Sequence, residues 1–76
     1  MPKLPVVSAD QTIRALKRAG FLLDHQTGSH VTLRRPETNR RAVVPRHGSR
    51  DLRAGTLRAI LRDAGLTVDE FRRLLT

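Results

Sequence analysis

Of the 76 residues, His30 is the side chain best placed to do chemistry, with Gly28-Ser29 before it and Val31-Thr32-Leu33 after it. An imidazole has an unperturbed pKa of about 6.5, so it takes and gives a proton near neutrality. Set among cations, such a group suits phosphodiester chemistry: it can act as acid or base while an RNA 2′-hydroxyl attacks the adjacent phosphorus. The plain alternative is an ordinary surface histidine in a strand. Position separates the two. Gly28-Ser29 reads as a two-residue hairpin turn, because Gly accepts the positive φ that the first central position demands. Strand alternation then sends Val31 and Leu33 to one face and His30, Thr32 and Arg34 to the other. With the aliphatic pair in the core, His30 stands on a solvent face and on a rigid element.

The other two histidines take the same test. His25 shares strand parity with Phe21 and Leu23, which predicts a half-buried, structural side chain. His47 follows Pro45-Arg46, where it is either a helper to His30 near the open face or a loop residue. No pair of histidines has the i, i+4 or short spacing of metal ligands, and no carboxylate cluster accompanies them. No metal site and no cofactor is predicted. The chain has no cysteine, which excludes disulfides, thiolate ligands and a Cys nucleophile, and suits a reducing cytoplasm. There is no Gly-rich phosphate loop and no Ser-His-Asp constellation.

Charge points to the partner. The net charge is +8, and thirteen of the fifteen basic residues are Arg, whose fork binds phosphate oxygens bidentately. Nucleic acid is the leading partner class and an acidic protein the second. Arg34, Arg35, Arg40, Arg41 and Arg46 cluster around one turn and strand, and are the candidate RNA-binding residues; the alternative is a solvated surface. Phe21 and Phe71 are the only aromatics, which disfavours a single-strand binder built on stacking platforms. No apolar run is long enough for a signal peptide or membrane span, and no membrane partner is expected.

The elements that must position these residues follow from local pattern. Residues 1–7 contain two prolines and read as a lead-in that frays. Ser8-Ala9-Asp10-Gln11 is a capping box, and Ile13, Leu16 and Ala19 with Ala9 and Thr12 form a narrow stripe. They predict a helix over residues 8–19, closed by Gly20 with Phe21 in hydrophobic contact. Strands are expected over residues 21–27, 30–35 and 40–44, with Pro36-Glu37-Thr38-Asn39 as the second turn and Pro45 as the stop. After a polar loop, Leu57, Ile60, Leu61 and Ala64 mark a second helix that ends at Gly65. Thr67-Val68-Asp69-Glu70 is another capping box, opening a third helix with Phe71, Leu74 and Leu75 on one side. The sum is one two-layer α+β domain over residues 1–76: a helix, a three-stranded antiparallel sheet, then helices, all packed on one sheet face.

Gly28-Ser29-His30, then Val44-Pro45-Arg46-His47, then Gly55-Thr56-Leu57-Arg58-Ala59-Ile60-Leu61-Arg62-Asp63-Ala64-Gly65-Leu66, in this order, resembles the HicA (YcfA-like) toxin family. The resemblance spans about residues 8–75; Gly-Ser-His alone would be weak, but the ordered combination is specific. It implies a double-stranded-RNA-binding-domain-like fold, mRNA interferase activity, and a cognate HicB-type antitoxin that silences the enzyme. It also implies that His30 is the catalytic histidine, with Gly28 and Ser29 shaping the turn. His47 aligns with a histidine often seen after the family's third strand. The chain is more Arg-rich and slightly longer than the family pattern. The combined expectation is a metal-independent, cytoplasmic endoribonuclease whose antitoxin covers the active site. A non-catalytic basic RNA-binding module is the alternative reading. A DNA-binding regulator comes third, since no recognition helix is evident.

Overall fold

A computed structural model describes residues 3–76 of the chain. Helix α1, Ala9–Arg18, starts where its capping box predicts. Ser8 Oγ accepts from the Gln11 N–H at 3.2 Å, and Gln11 Oε1 accepts from the Ser8 N–H at 2.8 Å. Two donors that a helix start leaves orphaned are thereby satisfied. Gly20, at φ 99°, turns the chain out of the helix, and the Phe21 N–H bonds back to the Leu16 carbonyl at 3.0 Å. That bond keeps Phe21 out of the sheet, so the first strand begins one residue later than alternation predicts.

The strands are β1, Leu22–Thr27, β2, His30–Arg35, and β3, Arg40–Pro45, antiparallel in the order β1-β2-β3. Gly28 has φ 57° while Ser29 keeps a negative φ, the type II′ pattern whose twist matches the flanking strands. Asn39, at φ 58°, closes the second turn. Helix α2, Ala54–Ala64, ends at Gly65 in the left-handed region (φ 74°). Helix α3, Val68–Leu74, opens with the reciprocal Thr67–Glu70 capping bonds, 3.1 and 2.9 Å long. Hydrogen bonds from the Thr67 backbone and then its side chain hold the Glu70 carboxyl below the usual carboxylate range.

One cluster of buried side chains lies between the sheet and the first two helices: Leu16, Phe21, Val31, Leu33, Val44 and Ile60. A second joins the helices behind it: Val7, Ala15, Leu57, Leu61 and Phe71. Both lie on the same side of the sheet. This helix–strand–strand–strand–helix–helix order is the two-layer α+β, double-stranded-RNA-binding-domain-like arrangement expected.

Of the lead-in, Met1 and Pro2 lie outside the described residues, and residues 3–7 run against the helical layer. Val7 is buried and Leu4 packs on the second cluster. The Val7 carbonyl accepts from the Leu52 N–H at 2.8 Å, and the Lys3 carbonyl from Arg72 Nη1 at 2.9 Å. Leu4 and Val7, on either side of Pro5, give this segment something to bury. At the other end, Arg18 Nη1 donates to the carbonyls of Leu74, at 2.7 Å, and Thr76, at 3.2 Å.

Candidate active site

The hairpin that carries His30 is tied on both sides. Gln26 Nε2 donates to the Gly28 carbonyl at 3.1 Å, and the Arg46 N–H donates to the Ser29 carbonyl at 2.6 Å. The second bond matters because Pro45, which opposes His30 on β3, has no N–H to offer. The next residue makes the link instead. His30 therefore sits exposed on the central strand, between Thr27 and Pro45, with its backbone fixed by both neighbours. Gly28 and Ser29 form the turn in the manner their types predict.

Residues opposed in an antiparallel ladder share a face, so the register shows what surrounds His30. The open face carries three rows: Thr27, His30 and Pro45; His25, Thr32 and Val43; Leu22, Arg34 and Arg41. Two of these entries depart from expectation. Thr32 is buried rather than exposed, because it occupies the centre of the middle strand with side chains on both flanks. His25 is exposed rather than half buried. A register shift between Leu23 and His25 inserts Asp24 as an extra residue and reverses the parity beyond it. His25 thus turns to the face of His30, and Gln26 to the helix side. Its ring Nδ1 lies 3.3 Å from Asp24 Oδ2.

The five candidate arginines do not form one patch. Arg34 and Arg41 oppose each other on the open face, and Arg34 Nη1 reaches Asn39 Oδ1 at 3.5 Å. Arg35 and Arg40 oppose each other on the helix side. Arg40 Nη1 donates to the Asp63 carbonyl at 3.4 Å, at the C-terminal end of α2, where a cation complements the helix dipole. Its guanidinium also covers Gly65, where a Cβ would stand 2.7 Å from Arg40 Nε. Arg35 lies beside Gly20, with Nη2 3.6 Å from Glu37 Oε2 and its Nε buried without a partner. Arg46 Nε pairs with Asp10 Oδ1 at 2.9 Å, tying the end of β3 to the start of α1.

His47 lies past the end of β3. With Pro45, Arg50, Asp51, Arg53 and Thr56 it lines a depression that borders the His30 row through Pro45. The depression meets the start of α2, where Arg53 provides no side-chain cap and the first turn holds no acid. Arg50 and Arg53 were not singled out by sequence pattern, since loop residues show no periodicity. Among the described residues, no three His, Asp or Glu side chains gather as metal ligands would.

The arrangement offers a proton-transfer group on a rigid strand, flanked by cations at two distances. Arg50 and Arg53 lie around the adjoining depression; Arg34 and Arg41 lie at the far end of the same face. A family model described as the HicA toxin of bacterial toxin-antitoxin matches residues 9–66, from the first residue of α1 to just past the Gly65 cap. No curated protein matches the chain.

Proposed function

Because the chain belongs to the HicA toxin family, the toxin half of bacterial toxin–antitoxin systems, we propose that it cleaves RNA with His30 as the proton-transfer group. The observation that carries this reading is the placement of His30: exposed, on the middle strand, and fixed by a turn bonded on both sides. In this mechanism His30 accepts the proton of a 2′-hydroxyl while that oxygen attacks the neighbouring phosphorus. The phosphorus–O5′ bond then breaks with its electron pair on O5′, which takes up a proton, giving a 2′,3′-cyclic phosphate and a 5′-hydroxyl. No step uses a metal ion. His47 lines the adjoining depression, with Arg50 and Arg53 beside it to receive phosphate charge.

The substrate is mRNA, met in the cytoplasm; among the described residues no helix is long and apolar enough to cross a membrane. Arg34 and Arg41 contact phosphates along the strand. Arg34 is four residues from His30, about 13 Å at 3.3 Å per residue. The antitoxin, of HicB type, covers the same face. Its carboxylates meet the cations, and the exposed Leu22 and Val43 give it apolar anchors.

The direct test is incubation of the purified chain with RNA in the presence of EDTA. Cleavage that persists supports the reading. Binding without cleavage leaves the non-catalytic RNA-binding module instead.

Salt dependence tests the division of the arginines. Each phosphate contact on a single strand contributes about 0.7 to the slope of log affinity against log salt. Arg41→Ala is expected to shallow that slope by roughly this amount. Arg40→Ala is expected to leave the slope and lower the melting temperature, because its guanidinium serves the end of α2. Equal slopes for wild type and Arg41→Ala would remove Arg41 from the interface.

A further inference from the structure

A second imidazole stands on the face of His30. We propose that His25 is the proton donor to the leaving O5′ oxygen when His30 acts as the base, a role that rests on the ribonuclease reading above.

The placement comes from the bulge. Uninterrupted alternation would put His25 with Leu23 on the helix side. The extra residue at Asp24 reverses this and sets His25 opposite Thr32, while His30 opposes Thr27. The two histidines are therefore diagonal neighbours across one ladder, with backbone positions about 7–8 Å apart. An acid or base acts on a group about 2.6–3.2 Å away, so a phosphodiester fits between the two rings, with its attacking oxygen toward one and its leaving oxygen toward the other. A bulge disrupts local pairing, and bulges occur where a side chain must be re-aimed. Here the re-aimed side chain is an imidazole.

Asp24 adds orientation. With Nδ1 3.3 Å from Asp24 Oδ2, that nitrogen is engaged by the carboxylate, and Nε2 is left to face substrate. The His25 side chain is 57% exposed and Asp24 35%. The pair is thus not buried within the core, and its position on the surface leaves room for a ligand. His47, by contrast, lies beyond β3 and lines the depression with Arg50 and Arg53.

The step balances with two histidines. His30 takes the 2′-hydroxyl proton as the 2′-oxygen bonds to phosphorus. The phosphorus–O5′ bond breaks with its electron pair on O5′, and the His25 Nε2–H supplies the proton that makes the 5′-hydroxyl. Afterwards His30 holds one proton more and His25 one fewer, and exchange with water restores both. With His30 alone, the leaving oxygen would have to take its proton from solvent.

The experiment uses two substrates with wild type, His25→Ala, His47→Ala and His30→Ala. One is an RNA dinucleotide, whose 5′-oxygen must be protonated as it leaves. The other is a nucleoside 3′-(p-nitrophenyl phosphate), whose nitrophenolate leaves without a proton. His25→Ala is expected to slow dinucleotide cleavage by about 10²-fold or more, the usual loss for a general acid, while cleaving the nitrophenyl ester at close to the wild-type rate. His30→Ala is expected to lose both. A purely structural role for His25 would depress both substrates alike. That result overturns the proposal, as does a His25→Ala variant with wild-type dinucleotide cleavage, or leaving-group rescue seen for His47→Ala instead. Each of these leaves the ribonuclease reading standing. Only a wild-type chain that cleaves neither substrate removes both together.

Discussion

Replacing His30 by alanine is expected to lower RNA cleavage by about 10²–10⁴-fold, the range for loss of a general acid or base, and to relieve growth arrest in cells expressing the chain. The fold is expected to survive. The imidazole is exposed and packs into neither buried cluster. The turn before it is held by hydrogen bonds that do not involve the imidazole, from Gln26 Nε2 to the Gly28 carbonyl and from the Arg46 N–H to the Ser29 carbonyl. What remains is the strand preference of one residue, on a scale that spans about 1 kcal/mol in all. The measurements are the cleavage rate with EDTA present and the thermal midpoint of the same preparation. A variant that cleaves at the wild-type rate removes His30 from the chemistry. One that is inactive because it has unfolded shows that the side chain supports structure instead.

Phe71→Ala is expected to do the reverse: to cost about 3–5 kcal/mol of stability, as removal of a buried aromatic does, without touching the site. Phe71 is fully buried and holds α3 against Val7, Ala15, Leu57 and Leu61. Helix α3 has only seven residues, far short of the roughly 12–15 that an isolated helix needs to persist in water. Its capping box sets where it starts, but its packing keeps it there. At roughly 0.05–0.15 kcal/mol per residue, the whole chain is stable by something like 4–11 kcal/mol, so this one side chain accounts for a large share. The thermal midpoint is expected to fall by roughly 15 °C or more. A fall of only a few degrees would mean that the cluster closes over the vacated space. Activity measured well below the lowered midpoint is expected to survive, which separates this variant from His30→Ala.

The parts of the fold that were legible in the sequence are those set by bonds between near neighbours. Ser8 and Gln11, and Thr67 and Glu70, each find their partner three residues away. Gly28 and Gly65 announce the left-handed backbone that their positions adopt. The placement of His30 was legible for the same reason, since a turn and alternation are enough to put it exposed at the start of β2. His25 was not. Its orientation depends on one extra residue in β1, and a bulge of this kind requires no glycine or other tell-tale type. The division of the arginines was available from parity, because Arg34 and Arg35 are consecutive in a strand and must point oppositely. Closeness along the chain does not put them on one face. Arg50 and Arg53 were beyond reach, because their nearness to the His30 row arises only when β3 and α2 are brought together.

The arginine bonds to the chain ends have a practical consequence. Arg72 of α3 holds the Lys3 carbonyl, and Arg18 at the end of α1 holds those of Leu74 and Thr76. Residues 3 and 76 are thus both fastened to the layer behind the sheet, on the side remote from His30. An affinity handle, a fluorescent reporter or a surface tether attached at residue 76 starts from the back of the molecule. A chip carrying the protein through such a tether would present the His30 face outward, free to meet RNA or an antitoxin in the flowing phase.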